Sequence, residues 1–289
     1  MKLSVITDEI SMDLAHALDV MSEYQVKSAE LRGINNKNIC DFPEDELKEV
    51  KNILADKGFS VSCIASPLLK CELRKGITGE VGRMHDAVER SYEQQIDLLK
   101  HCLYLTDYFD TNIIRVFSFW KRGEFTPEVE DEVVRTLTEM GEIAGKAGKI
   151  LGLENEHDCY VGTGVETGRV LRRVNHPAVK AVWDAGNAFF ADEKPYPEGY
   201  EALKDNLVHV HVKDVEELRD GSRRCVVVGE GQVDFKEQIE ALARTGYSGY
   251  ISLETHYVPF AGTPEQGSRL CLASLRHLVD GAVSGELEV

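Results

Sequence analysis

The chain has 289 residues, 43% hydrophobic and 29% charged, which is enough to bury a substantial core, and barrels of this length commonly form one domain. Its formal net charge of −17 opposes phosphate backbones and anionic membrane surfaces, so neither nucleic acid nor membrane is an expected partner. The seven cysteines, Cys40, Cys63, Cys71, Cys102, Cys159, Cys225 and Cys271, contain no C-x-x-C pair and are odd in number, which fits a reducing, cytoplasmic setting better than a disulfide framework.

The amino terminus enters directly on Lys2-Leu3-Ser4-Val5-Ile6, without a signal-peptide cleavage pattern. No later run reaches the ~20 apolar residues of a membrane span. Short β-rich runs follow at residues 3–7, 26–31, 60–65 and 112–117. Between the last two, residues 83–106 place Met84, Val88, Ile96, Leu99 and Leu103 at helical spacing. The next helix is clearer: Val129, Val133, Leu137, Met140, Ala144 and Ala147 form one stripe, with Thr126 as N-cap, Pro127 at the first helical position and Gly148 as terminator.

In the second half, four β-type runs each end in a metal-binding or acid/base side chain. Leu151-Gly152-Leu153 runs into Glu154, Val182-Trp183 into Asp184, Val208-His209-Val210 into His211, and Ile251-Ser252-Leu253 into Glu254. The intervals are long enough for a helix and two loops. Eight strands alternating with helices predict an α/β fold, a single (β/α)8 TIM barrel in which residues 1–289 form one domain, and no internal repeat interrupts it. Loops at residues 68–82, 192–199 and 215–231 follow carboxyl ends of strands and are expected to rim the active site.

Three carboxylates and one imidazole make a mostly hard oxygen site, suited to manganese, magnesium, cobalt or iron. Such a site can keep a position open for the oxygens of a sugar, and its two glutamates can move protons, which points to metal-assisted acid/base chemistry on a polyol. Strand parity adds neighbours. Lys213 continues the inward parity of His211 and can polarise a substrate oxygen, whereas a surface pair with Asp214 is the plainer alternative. His209 shares that parity; it is read first as a core histidine paired to a neighbour and second as a substrate contact. Glu30 and Arg32 alternate onto one face, as do Arg115 and Phe117, and can order metal ligands, bind substrate or form buried ion pairs. His157 and His256 have the opposite parity and are placed outside the metal shell. Phe119 and Trp120 can stack on a sugar ring but are read first as lid packing, and the glycine loop around Glu230 is read as a substrate contact or a hairpin turn.

These residues fall into motifs with a known counterpart. Thr7-Asp8-Glu9-Ile10, Glu30-Leu31-Arg32, Leu153-Glu154-Asn155, Trp183-Asp184-Ala185-Gly186-Asn187, His209-Val210-His211-Val212-Lys213-Asp214, Val228-Gly229-Glu230-Gly231 and Gly249-Tyr250-Ile251-Ser252-Leu253-Glu254, in this order, resemble the xylose isomerase-like barrel superfamily of sugar isomerases, ketose 3-epimerases and inosose dehydratases. The resemblance covers nearly the whole chain. It implies one divalent ion, with manganese expected first and magnesium, cobalt, iron or zinc as alternatives, held by Glu154, Asp184, His211 and Glu254. It also implies that Glu154 and Glu254 act as the acid/base pair. Around the substrate the residue reading places Asn187, His209, Lys213, Glu156, Arg115 and Glu230.

Two positions depart from the pattern. Many relatives carry D-x-x-H, whereas Asn187 stands three residues after Asp184; asparagine can hydrogen-bond a hydroxyl but cannot titrate near neutral pH. Glu156 stands where several relatives place histidine, which makes the pocket more acidic. The leading expectation is an isomerase or epimerase that abstracts a proton next to a carbonyl of a small sugar or polyol, through an enediolate. A dehydratase of an inosose-type keto-polyol is the alternative, followed by a sugar-binding barrel without turnover. Phosphodiester hydrolysis is disfavoured by the acidic balance, and self-association into a homo-oligomer is left open.

Overall fold

The computed structural model describes residues 1–73, 82 and 84–284. Eight parallel strands close into a barrel: β1 Lys2–Ile6, β2 Ser28–Leu31, β3 Ser60–Leu68, β4 Ile113–Val116, β5 Ile150–Glu154, β6 Val179–Asp184, β7 Leu207–Val212 and β8 Tyr250–Leu253. Neighbours in sequence are neighbours in the barrel, and β8 returns to β1 with Leu3 opposite Ile251 and Val5 opposite Leu253. These are the eight strands expected from the sequence. Parallel strands with helices packed outside need apolar side chains on their outer face, which Val5, Leu151, Leu153 and Val210 supply, all buried.

The helix Pro127–Lys146 follows its sequence signals closely. Thr126 accepts a hydrogen bond from the Val129 amide, acidic residues fill the first turn, and Gly148 takes φ +70° just past the end. Val133, Leu137, Met140 and Ala144 are buried, while Ala147 lies past the helix end and is exposed. The preceding helix corrects the expectation. It spans Gln95–Tyr108, preceded by a 3-10 turn at Tyr92–Gln94, and does not reach back to residues 83–90. Ser91 and Gln94 form a capping box that starts it, and Val88 is 59% exposed. Arg83 and residues 74–81, which belong to the expected helix and to the 68–82 loop, lie outside the described residues.

Two further rim loops carry structure of their own. Residues 192–199 include a π-helical turn, Pro195–Gly199, and residues 215–231 contain most of a hairpin that pairs Asp214–Glu217 with Arg223–Val226. The hairpin is tied at its base by Asp214, whose carboxylate accepts from the amides of Val215, Gly229, Gly231 and Val233 at 2.7 to 3.3 Å. Among the described residues no helix is long and apolar enough to cross a membrane.

Candidate functional site

Glu154 and Asp184 are the last residues of β5 and β6, His211 is the penultimate residue of β7, and Glu254 follows β8 directly. Asp184 lies opposite His211 in the β6–β7 register, and the Glu254 amide still donates to the carbonyl of Val212. The barrel therefore collects all four side chains at its carboxyl end. One donor atom from each lies within 4.8 Å of every other, and all four residues are buried.

The surroundings orient each group. Asp184 caps the short helix Ala185–Phe190: its Oδ1 accepts from the Asn187 amide at 2.7 Å, which leaves Oδ2 for the cluster. Asn155 braces the same strand end, accepting from the Asp184 amide at 2.9 Å and donating to its carbonyl at 2.7 Å. His211 is held from behind, with Nε2 3.0 Å from Glu30 Oε1, while Nδ1 lies 2.8 Å from Glu154 Oε1. A histidine fixed on one ring nitrogen by a carboxylate, with the other turned to a group of carboxylates, is the usual arrangement of a metal-binding imidazole.

Charge is concentrated and paired. Arg32 reaches Asp8 at 2.9 Å, Glu9 at 2.5 Å and Glu254 Oε1 at 2.5 Å. Arg115 lies 3.4 Å from Glu154 Oε2. Lys213 Nζ sits 3.1 Å from Asp184 Oδ2 and 3.5 Å from Glu254 Oε2. Burial raises the Asp184 carboxyl to about 6 against the opposing charge of Lys213. For Glu254 burial pushes the same way, but Lys213 and His211 outweigh it and hold the carboxyl well below its ordinary range. Burial would lower His211, yet Glu30 and Glu154 keep its imidazole well above the ordinary value.

Whether these residues suit a divalent ion can be judged from their unsatisfied atoms. Glu154 Oε2 and Asp184 Oδ2 are buried without a hydrogen bond, faced only by the side-chain cations Arg115 at 3.4 Å and Lys213 at 3.1 Å, so each keeps lone pairs that a divalent ion would use. Three carboxylate oxygens and one imidazole nitrogen match the coordination of hard and borderline divalent metals. The set fits.

Above the cluster opens a cavity of about 300 Å³, whose walls include Lys70, Glu156, His157, Asn187, Lys213 and His256. A larger cavity of about 530 Å³ lies at the opposite, amino-terminal end of the strands, beside Met1 and Tyr247, and none of the cluster residues line it. The four cluster residues do not line the first cavity either, but the case for chemistry rests with it because Lys213 on its wall touches Asp184 and Glu254.

Of the residues expected around a substrate, Glu156, Asn187 and Lys213 line this cavity. Asn187 is largely committed to the protein: Nδ2 donates to the Asn155 carbonyl at 3.1 Å and Oδ1 lies 3.2 Å from His157 Nδ1. Arg115 lies beneath, against Glu154 and the carbonyls of Ala65 and Ser66. His209 corrects the substrate reading and follows the core one: it is fully buried, and its Nε2 is 2.8 Å from Glu30 Oε2. Glu230 is not brought to the cluster either; it stands exposed past the hairpin, on a surface depression shared with Val258 and Phe260.

Sequence parity missed Glu9, Lys70, His85, His157 and His256 as neighbours of the site. Parity describes a strand, and each of these lies in a loop or turn where alternation has ended. Glu9 gave a signal in the Thr7-Asp8-Glu9-Ile10 motif; for Lys70 and His85 no local pattern exists.

Residues 18–278 match the family model described as xylose isomerase-like TIM barrel. The inosose dehydratase of Bacillus licheniformis is 27% identical over 227 residues, 68% of this chain and 73% of that protein. Among solved structures, a D-tagatose 3-epimerase-like protein superposes with a TM-score of 0.73 at 18% identity, covering 99% of this chain and 100% of its own. The IOLI protein with a bound zinc atom superposes at 0.75 with 17% identity, covering both chains fully at 100%. At such identities the structural likenesses describe the fold.

Proposed function

The chain belongs to the xylose isomerase-like TIM barrel family, and from that premise we propose that it is a divalent-metal-dependent dehydratase of a small keto-polyol. The convergence of Glu154, Asp184, His211 and Glu254 beneath a polar cavity carries the reading. A bound divalent ion supplies Lewis-acid polarisation of a carbonyl and its neighbouring hydroxyl, an effect of several kcal/mol on charge development. The remaining chemistry belongs to side chains. Glu254 takes the proton from the carbon next to the carbonyl. Lys213 Nζ, which lines the cavity and lies 3.5 Å from Glu254 Oε2, donates a proton to the β-hydroxyl, which leaves as water while the carbon–carbon double bond forms. The proton held by Glu254 then returns to Lys213, so the pair ends as it began.

Two observations favour elimination over a symmetrical two-glutamate epimerisation. Glu154 is faced by His211 and Arg115, neither of which lines the cavity, whereas Glu254 is faced by Lys213, which does, so of the two glutamates only Glu254 has this proton donor on the cavity wall beside it. The curated relative with 27% identity is an inosose dehydratase. Isomerisation or epimerisation is the second reading, supported by the same first proton abstraction and by the epimerase-like fold neighbour. The deciding experiment incubates metal-loaded protein with keto-inositols, keto sugars and polyhydroxy keto acids in deuterated water. Growth of conjugated-enone absorbance with release of water supports dehydration; washed-in deuterium with no enone supports isomerisation; neither, with metal bound and every substrate tried, would sink both.

A further inference from the structure

Glu254 has a second oxygen, and two histidines gather beside it. His85 and His256 each offer a ring nitrogen that lies, together with a Glu254 oxygen, within 4.8 Å of the others. The two rings stack at 5.6 Å between centroids and 10° between planes. His256 is aimed by a buried carboxylate: its Nδ1 is 3.0 Å from Glu9 Oε1, its backbone amide donates to Glu9 Oε2 at 2.8 Å, and its Nε2 faces Glu254 Oε1 at 3.7 Å. This repeats the arrangement behind His211, where Glu30 fixes one ring nitrogen and the other turns to the carboxylates.

The backbone supplies an independent observation. His85 has φ 48° and His256 φ 49°, both in the left-handed region that non-glycine residues rarely adopt. Such conformations cost free energy and persist where surrounding structure demands them, commonly at ligand clamps. Both histidines also line the cavity above the cluster.

We infer that His85, Glu254 and His256 form a second divalent-metal site, with Glu254 bridging it to the site of Glu154, Asp184 and His211. The inference rests on the metal-dependent reading above because the two sites share Glu254. Its charge balance is workable. Arg32 Nη1 occupies one face of Glu254 Oε1, but its charge is met by Asp8 and Glu9, and a carboxylate oxygen keeps a further lone pair. Lys70, also on the cavity wall, is faced by Glu156 at 3.4 Å. Two imidazoles and one carboxylate make the new site softer than its neighbour, so it selects zinc or ferrous iron, whereas three carboxylates and one imidazole favour manganese or magnesium. Ions held in both sites would offer a diol or hydroxy-ketone two Lewis-acid positions.

The test counts metal on the full chain, stripped with chelator and reloaded with manganese, zinc or both, by mass spectrometry of the element, with manganese electron paramagnetic resonance as a second readout. Wild type is expected to saturate at about two ions per chain, as a spin-coupled manganese pair when loaded with manganese alone and as one ion of each when both metals are supplied. His85→Ala and His256→Ala each retain about one ion and an isolated-ion spectrum; Asp184→Asn loses the other ion and keeps zinc; Glu9→Gln weakens the second ion ~10-fold or more. Saturation at one ion, lost in Asp184→Asn and retained in His256→Ala, overturns the second site while leaving the proposed function intact. Retention of two ions in both histidine variants overturns this ligand set. Absence of any bound ion overturns both readings.

Discussion

Glu30 Oε1 lies 3.0 Å from His211 Nε2, and this contact decides which ring nitrogen His211 turns toward Glu154, Asp184 and Glu254. A carboxylate in that position fixes the ring and raises its basicity as a ligand. Glu30→Gln is expected to weaken divalent-metal affinity ~10- to 100-fold while leaving the fold intact. Isothermal titration of chelator-stripped protein with manganese reads the change directly. An unaltered affinity would mean that His211 does not depend on Glu30.

Lys213 separates proton delivery from metal retention. Its backbone and stem both pack on Gly186, where an added Cβ would meet the Lys213 carbonyl oxygen at 2.2 Å and Cγ at 3.1 Å. Lys213→Met keeps most of that stem. Turnover should fall by ~10²- to 10⁴-fold, the usual worth of a positioned acid, with metal content retained. Turnover within twofold of wild type would remove Lys213 from the chemistry.

Glu254→Gln and Glu154→Gln probe the two glutamates. On the elimination mechanism, Glu254→Gln abolishes detectable turnover under saturating manganese, whereas Glu154→Gln mainly loosens metal and recovers activity as metal is added. Equal, metal-independent losses of kcat in both would favour the two-glutamate epimerase reading.

Asn187 is expected to matter for local stability more than for proton transfer, because its amide bridges the Asn155 carbonyl and His157. Asn187→Ala should cost ~1–3 kcal/mol of stability, the range for a lost buried hydrogen bond, seen in denaturant melts. Asn187→His should add no new inflection to the pH profile of kcat. A gain in turnover by orders of magnitude, with an inflection near neutral pH, would show that wild type lacks a base it needs.

The pH dependence of the metal-free protein follows from Asp184. Its folded-state carboxyl is raised to about 6, above the ordinary ~3.9, so the folded chain binds the proton more tightly than the unfolded chain. Stability should therefore rise as pH falls from 7 through about 6, and this part of the slope should vanish in Asp184→Asn. Saturating metal should suppress it too, since a ligating carboxylate stays ionised. The opposite slope in chelator-treated protein, measured by urea titration across that range, would contradict the burial argument.

The sequence alone determined the periodic part of this protein. Eight β-rich runs, the Thr126-capped helix and the strand-end positions of Glu154, Asp184, His211 and Glu254 were legible because alternation, helical spacing and capping are local consequences of backbone geometry. Tertiary structure decided what periodicity does not encode. The helical spacing of Met84 and Val88 gave way to a start at Gln95, led in by the Tyr92–Gln94 turn that the Ser91/Gln94 capping box opens. His209 and His211 share one strand face, yet depth along the barrel seals the first against Glu30 and turns the second toward the carboxylates. His256 lies two residues beyond Glu254, where the strand has ended and parity no longer assigns a side, so its place beside Glu9 and His85 comes from loop conformation and long-range packing.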